Sequence, residues 1–303
     1  MIAVRHILCP TDFSESARRA LSQAMTLAGW YGSRLTVLYV SPLAPTVAGF
    51  PPMVNPVTLE PMDRERVLQE LRTFAEPATR AGLDVTLRLR AGAAAAEIVG
   101  EATVAAADLV VMGTHGRAGF EHLMLGSVTE KVVRKAPCPV LTVCWPGDGR
   151  VPRELSELHH IVCPVDFSEC SLEALGHALS LAERAKARLT VVNVLEWPDA
   201  ELRHPHVMSK EYERYVQGEA RRQLQAAIPP DARNWCEIKE EILAGTPWRR
   251  ILHLAAEQSA DMIVVGVQGH NAVERFLFGS TANQIVRQAS CPVLTVRKRT
   301  PPS

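Results

Sequence analysis

The sequence RHILCPTDFSESARRAL, residues 5–21, joins two patterns of different period. Its first part, HILCPT, is a near-continuous apolar run, as expected for a strand that is covered on both faces. Its second part places alanine and leucine at helical spacing, and Ser14 stands where a helix N-cap is expected. A buried strand that leads directly into an amphipathic helix opens a βα unit, so these residues predict an α/β fold.

The same pattern occurs a second time in the chain. Residues 159–175 read HHIVCPVDFSECSLEAL, and APCPVLTV at 136–143 recurs as ASCPVLTV at 289–296. The two halves align almost without gaps, with Asp12 and Asp166 separated by 154 residues. A repeat of this length indicates a duplicated domain. The Gly-, Pro- and charge-rich residues 145–157 are typical of a linker, and the predicted domains are 1–148 and 149–303.

Each half alternates strand and helix signals. In the first half, apolar runs at 6–11, 34–40 and 108–113 predict buried strands, and a strand at 139–144 closes the half. Residues 84–90 alternate and predict an edge strand or a half-exposed one. Helical spacing fills the intervals, with Pro77 as a kink site. The order predicts two tandem open five-stranded sheets, mostly parallel, Rossmann-like and doubly wound, with helices on both faces. The proline-rich residues 41–61 are interpreted as a flap or a partner surface.

A glycine pattern, Gly-x2-Gly-x9-Gly-Ser, follows the fourth strand of each half and precedes a helix. Its positions are Gly113, Gly116, Gly126 and Ser127, and then Gly266, Gly269, Gly279 and Ser280. Ligands of open α/β sheets bind at the carboxyl ends of the strands, and a helix N-terminus favours an anion. Bare backbone there lets phosphate oxygens approach, so the pattern predicts a polyphosphate cradle. The alternative is that these glycines only form tight turns and a helix start.

These residues together resemble the universal stress protein family. The resemblance rests on CPTDFSE after the first strand, the glycine spacing and the terminal CPVLTV, and it covers the chain as two family domains. It implies that the aspartate and a backbone group at the end of strand two hold the nucleoside, while the glycine motif binds ribose and phosphates. The implied ATP-binding residues of the first half are Asp12, Val40, Gly113, Gly116, Arg117, Gly126, Ser127 and Val128. Those of the second half are Asp166, Val194, Gly266, Gly269, Gly279, Ser280 and Thr281.

Two of these residues can be judged from their own chemistry. The Asp12 carboxylate can accept hydrogen bonds from ribose hydroxyls, or it can cap the following helix. Arg117 can pair with a phosphate, whereas the equivalent His270 is mostly neutral near pH 7. The alternative for Arg117 is a solvated loop charge. The difference predicts that the first site binds ATP more tightly than the second.

Composition excludes several classes of protein. The chain has 33 basic and 33 acidic residues, so no net field attracts nucleic acid or a membrane surface. Asp12 comes too early for a secretory leader, and no apolar run reaches the length of a membrane span. The seven cysteines form no Cys-x2-Cys pair, which predicts buried free thiols in a cytoplasmic protein. The histidines of HPH, residues 204–206, are interpreted as exposed loop residues and not as a metal site.

We therefore expect a cytoplasmic stress-response protein that binds ATP with Mg²⁺ and signals to an unidentified protein partner. The alternatives are a module that binds a partner or a lipid instead of a nucleotide, and an enzyme that hydrolyses ATP slowly. No catalytic residue is assigned, and His115 is the only candidate base. Because CPVLTV occurs in both halves, residues 140–143 are predicted to pair with 293–296 in an intramolecular pseudo-dimer. Homodimerisation of the whole chain is compatible with that arrangement.

Overall fold

A computed structural model describes residues 2–42, 61–114, 125–144, 154–196, 210–268 and 278–298. The chain divides into two compact units. The amino-terminal unit comprises residues 3–143, and the carboxy-terminal unit comprises residues 144–303 together with residues 1–2. The predicted boundary between 148 and 149, most of the 41–61 segment and the HPH sequence lie outside the described residues.

The amino-terminal unit is a five-stranded parallel sheet with four helices. Its elements are β1 (His6–Thr11), α1 (Glu15–Tyr31), β2 (Arg34–Ser41), α2 (Pro61–Arg80), β3 (Val85–Ala91), α3 (Ala94–Val104), β4 (Leu109–Gly113), α4 (Ser127–Lys135) and β5 (Val140–Val143). The strand order is β3-β2-β1-β4-β5, which confirms the predicted open α/β fold and places the alternating strand β3 at an edge. Helix α2 continues through Pro77 to Arg80.

The carboxy-terminal unit repeats this arrangement. Its elements are β6 (His160–Pro164), α5 (Glu169–Ala185), β7 (Arg188–Leu195), α6 (Lys210–Ala227), β8 (Ile238–Ala244), α7 (Pro247–Glu257), β9 (Met262–Gly266), α8 (Ser280–Gln288) and β10 (Val293–Val296). Short 3₁₀ helices occupy Leu155–Glu157 and Pro230–Asn234. The strand order β10-β9-β6-β7-β8 is equivalent to that of the first unit.

The first strand of each unit lies between two parallel neighbours. Leu8 of β1 pairs with Thr36 on one side and with Val110 on the other. Every residue of β1 and of β6 is buried, so both faces of the sheet are covered at these strands. Chain order reverses on either side of this strand, which is the position where open α/β sheets form a ligand crevice at their carboxyl edge.

The amino end of each sheet is held by the same polar network. Asp108 accepts hydrogen bonds from the backbone N–H groups of Arg5 and His6, and His6 Nε2 lies 2.8 Å from Thr36 Oγ1. In the second unit, Asp261 accepts from the N–H groups of His159 and His160, and His160 Nε2 lies 2.9 Å from Thr190 Oγ1. Burial, followed by the nearby charge of Arg188, lowers the pKa of His160.

All seven cysteines lie in the described part of the chain, and none forms a disulfide. Six are buried and Cys144 is half-buried, so the prediction of buried free thiols is confirmed for six of them. Burial raises the pKa of Cys9 to about 12, which keeps it protonated near neutral pH. In the part of the chain that the structure describes, no helix combines the length and the apolar character that a membrane span requires.

Candidate functional site

A cleft of about 430 Å³ lies at the carboxyl edge of the sheet in the carboxy-terminal unit. Its walls come from the ends of β6, β7 and β9, from α7 and from the first turn of α8. Of the seven residues predicted for this half, the six that the structure describes all line this cleft: Asp166, Val194, Gly266, Gly279, Ser280 and Thr281. Gly269 lies outside the described residues. The described residues that the glycine spacing and the family resemblance imply for this half therefore lie around one cavity.

The amino-terminal unit carries its predicted residues at the same ends of its strands. Asp12 follows β1, Val40 lies near the end of β2, and Gly113 ends β4. Gly126 is the N-cap of α4, which begins at Ser127, and Val128 follows in its first turn. His115, Gly116 and Arg117 lie outside the described residues, so the stronger first site stays a prediction.

The aspartates shape the turn that leads from the first strand into the first helix. Asp12 Oδ1 accepts a hydrogen bond from the N–H of Ser14 at 3.0 Å, and Asp166 Oδ1 accepts one from Ser168 at the same distance. The helix N-cap is the serine in each case, with Ser14 Oγ accepting from the N–H of Ala17. The alternative that Asp12 caps the helix is therefore wrong, and the cap predicted at Ser14 is confirmed. The hydrogen bond that Asp12 accepts from the N–H of Ser14 orients the Asp12 carboxylate at the carboxyl edge of the sheet.

A strained residue stands between the aspartate and the serine in both units. Phe13 has φ of 64° and Phe167 has φ of 65°, which is the left-handed region that aromatic residues rarely adopt. Phe13 also stacks on Tyr39, with ring centroids 4.8 Å apart. Strain of this kind persists only where the surroundings enforce it, and it is concentrated at functional sites. Sequence reasoning missed these residues, although the repeated Asp-Phe-Ser carried the signal.

Two of the glycines have a packing role that the sequence did not reveal. A Cβ built on Gly113 would lie 2.1 Å from Ser16 Oγ, and one built on Gly266 would lie 2.8 Å from the carbonyl carbon of Cys170. Each glycine lets the first helix of its unit pack closely on the fourth strand. Bare backbone at these positions is therefore explained without a ligand, and the case for a binding site rests on the cleft and on the helix start.

The helix starts at the cleft are built alike in the two units. Gly126 and Gly279 are N-caps without a side-chain cap. Their own N–H groups donate to strand-end carbonyls, with Gly126 bonded to Thr114 O and Gly279 bonded to Val267 O, both at 2.8 Å. A Cβ on Gly126 would come within 2.9 Å of Thr114 O. The glycine thus fixes the helix start against the strand, and the amides of the first turn, with the positive end of the helix dipole, suit an anionic ligand group.

Comparison with known proteins agrees with this architecture. The sequence model of the Universal stress protein family matches residues 3–143 and again residues 157–297. The chain belongs to the universal stress protein family. A universal stress protein of Methanocaldococcus jannaschii is 33% identical over 142 residues, which cover 47% of this chain and 83% of that protein. One from Mycobacterium tuberculosis is 26% identical over 198 residues, or 63% of this chain and 62% of its own length.

Solved structures show the same tandem fold. A universal stress protein from Archaeoglobus fulgidus has a TM-score of 0.65 at 23% identity, covering 97% of this chain and 98% of its own. A putative universal stress protein from Pseudomonas aeruginosa has a TM-score of 0.67 at 21% identity, covering 98% and 94% of the two chains. These likenesses confirm that the protein consists of two tandem Rossmann-like domains of the family.

Proposed function

We propose that this protein binds adenine nucleotides at the carboxyl edges of its sheets, with ATP in the amino-terminal unit, and that it acts as a nucleotide-dependent regulatory module. The observation that supports the proposal best is the cleft of the carboxy-terminal unit, which brings together six of the seven residues that the family resemblance implies for this half. The amino-terminal unit carries Asp12, Val40 and the glycines at equivalent positions, so the same frame for a nucleoside is available there.

Each group in this frame has a role that its chemistry supports. The Asp12 carboxylate, oriented by the N–H of Ser14, can accept from ribose hydroxyls. The first turn of α4 can receive the phosphates through its amides and the Ser127 hydroxyl. Mg²⁺ would be held chiefly by the phosphates, since the described residues contain no group of three or more His, Cys, Asp or Glu side chains suited to a metal.

A regulatory role is favoured over turnover. The described lining of the carboxy-terminal cleft holds two carboxylates, Asp166, which is engaged in the turn, and Glu196, and no residue is assigned as a catalytic base. Occupancy then matters through the shape of the protein, because a ligand that binds one conformation better shifts the population toward it. The partner that detects this shift is an unidentified protein. The cytoplasmic location, the boundary at 148, the pairing of 140–143 with 293–296 and homodimerisation all stay predictions.

The test is an ATP titration of the full chain by calorimetry, with and without Mg²⁺, using Ser127→Asp as the perturbation. Ser127 is exposed at the first position of α4, where a carboxylate complements the helix dipole and leaves the fold intact. The same carboxylate would repel a phosphate, so ATP affinity should fall at least tenfold. Ser127→Ala, the matched control, should lose only one hydrogen bond and bind within about fivefold of the unaltered chain.

Two results of the ATP titration would contradict the proposal. Absence of ATP binding to the unaltered chain would overturn it. Equal affinity of the Ser127→Asp and Ser127→Ala variants would show that phosphate does not approach α4, and would remove the site as proposed. A thermal melt of each variant checks that the substitution has not unfolded the unit.

A further inference from the structure

The cleft of the carboxy-terminal unit is apolar over most of its wall and acidic where it is charged. Its apolar side chains include Val192, Val194, Ile251 and Phe278. Among the described residues that line the cleft, the charged ones are Asp166 and Glu196, and none is a lysine, arginine or histidine. An apolar slot with a few acceptors suits a flat ring with hydroxyl or amine donors. For a ligand with several negative charges, the two carboxylates oppose the attraction of the amides at the start of α8.

Glu196 is the feature that distinguishes this cleft from its counterpart. It follows β7 and lies at alternate positions with Val192 and Val194, so all three line the cleft. Within the described part of the chain its carboxylate forms no ion pair, and the side chain is exposed to the cleft and to solvent. The residue at the same register of the amino-terminal unit is Pro42. At this register, the carboxy-terminal unit therefore has a negative charge where the amino-terminal unit has an uncharged residue.

A second difference lies beside the helix start. In the amino-terminal unit, Thr129 Oγ1 donates to the carbonyl of Gly113 at 2.9 Å. The equivalent residue of the carboxy-terminal unit is Ala282, which lines the cleft. At this position the second unit has a methyl group where the first has a hydroxyl, whereas one residue earlier it has the hydroxyl of Thr281 where the first has Val128. The first turns of α4 and α8 thus carry equal numbers of hydroxyl groups, and the difference in charge between the two units comes from Glu196, which adds repulsion for phosphates.

We propose that the cleft of the carboxy-terminal unit binds an uncharged nucleoside in preference to its triphosphate, and that Glu196 sets this preference. The proposal rests on the proposed function, since it takes the cleft as a nucleoside site. Asp166 and Glu196 accept hydrogen bonds from the donors of a nucleoside, while both carboxylates repel the charges of a triphosphate. The two units then differ in the chemical class of ligand that they bind.

The experiment uses the full chain carrying Ser127→Asp, which removes phosphate binding from the first unit. Adenosine and ATP are titrated by calorimetry, with and without Mg²⁺. Asp166→Asn identifies binding in the second cleft, and Asp12→Asn is its matched control in the first. We expect a site that is weakened by Asp166→Asn and not by Asp12→Asn, and that binds adenosine at least tenfold more tightly than ATP.

Glu196→Gln tests the specificity residue directly. It removes one of two carboxylates, so the ratio of adenosine to ATP affinity should fall about threefold, chiefly through tighter ATP binding. The inference is overturned if the second cleft binds ATP as tightly as adenosine, or if Glu196→Gln leaves the ratio of adenosine to ATP affinity unchanged. It is also overturned if Asp166→Asn weakens the binding of neither adenosine nor ATP. ATP binding that depends on Ser127 is measured separately in the otherwise unaltered chain, so failure here is distinguishable from failure of the proposed function.

Discussion

Replacing Gly113 with alanine should destabilise the amino-terminal unit by about 1–3 kcal/mol, as expected for overpacking of a close contact. The added Cβ would lie 2.1 Å from Ser16 Oγ, 2.9 Å from Ser16 Cβ and 3.0 Å from its carbonyl carbon. Rotation of the hydroxyl relieves only the first of these contacts, so α1 must move away from β4. Gly29→Ala is the matched control, because a Cβ there meets nothing within 4 Å. Because Gly29 lies inside α1, Gly29→Ala should raise the unfolding free energy by about 0.5–1 kcal/mol.

The same substitution in the second unit meets a different obstacle. A Cβ on Gly266 would lie 2.8 Å from two backbone atoms, the carbonyl carbon of Cys170 and the nitrogen of Ser171. Ser16→Ala should therefore recover part of the stability lost in Gly113→Ala, whereas Cys170→Ala should recover none of the loss in Gly266→Ala. Chemical denaturation followed by circular dichroism gives the free energies of unfolding for both double-mutant cycles. If Gly113→Ala costs no more than Gly29→Ala, or if both rescues succeed equally, the packing argument is refuted.

Three further predictions concern stability. Because burial lowers the pKa of His160 below its unfolded value of about 6.5, the stability that neutral His160 contributes to the carboxy-terminal unit should be present above that pH and lost as pH falls through the folded pKa. His160→Gln should flatten the pH dependence of the unfolding free energy below about pH 6.5, and an unchanged slope contradicts this. Lys186 is the C-cap of α5 with φ of 55°, at the position where Gly32 is the C-cap of α1 with φ of 64°. In denaturation curves, Lys186→Gly should raise the unfolding free energy by about 1 kcal/mol and Gly32→Lys should lower it by a similar amount. Changes of the opposite sign would contradict this prediction. Glu101 is buried and accepts a hydrogen bond from Arg90 at 2.6 Å, so Glu101→Gln should lower the unfolding free energy of the amino-terminal unit by about 1–3 kcal/mol. A loss below about 0.5 kcal/mol would show that solvent screens the pair.

The sequence predicts the elements well because their signals are local. The run at 6–11 coincides with β1, and the alternation at 84–90 marks a strand that lies at the edge of its sheet. Ser14 is recognisable as a cap since its side chain bonds a residue of the next turn. Six residues of the cleft follow from the glycine spacing and the family resemblance together, as Gly279 and Asp166 show.

Other features depend on tertiary contacts and leave no periodic signal. The reason that Gly113 lacks a side chain is its contact with Ser16, which is distant in sequence. The positive φ of Phe13 depends on the turn closed by Asp12 and on the ring of Tyr39. The acidity of the second cleft comes from Glu196, which no motif contains and which becomes notable only when β7 places it beside Asp166.

The polar networks at the amino ends of the sheets have a consequence for how a duplicated protein can diverge. His6 with Thr36, and His160 with Thr190, secure the first strand of each unit by the same bonds. Pro42 and Glu196, which differ, lie at the opposite end. A mutation at the carboxyl edge therefore leaves the anchoring bonds untouched, and one copy can exchange its ligand while both retain the same architecture. In a single chain, this separation lets the carboxyl edges of the two sheets change in sequence independently of each other.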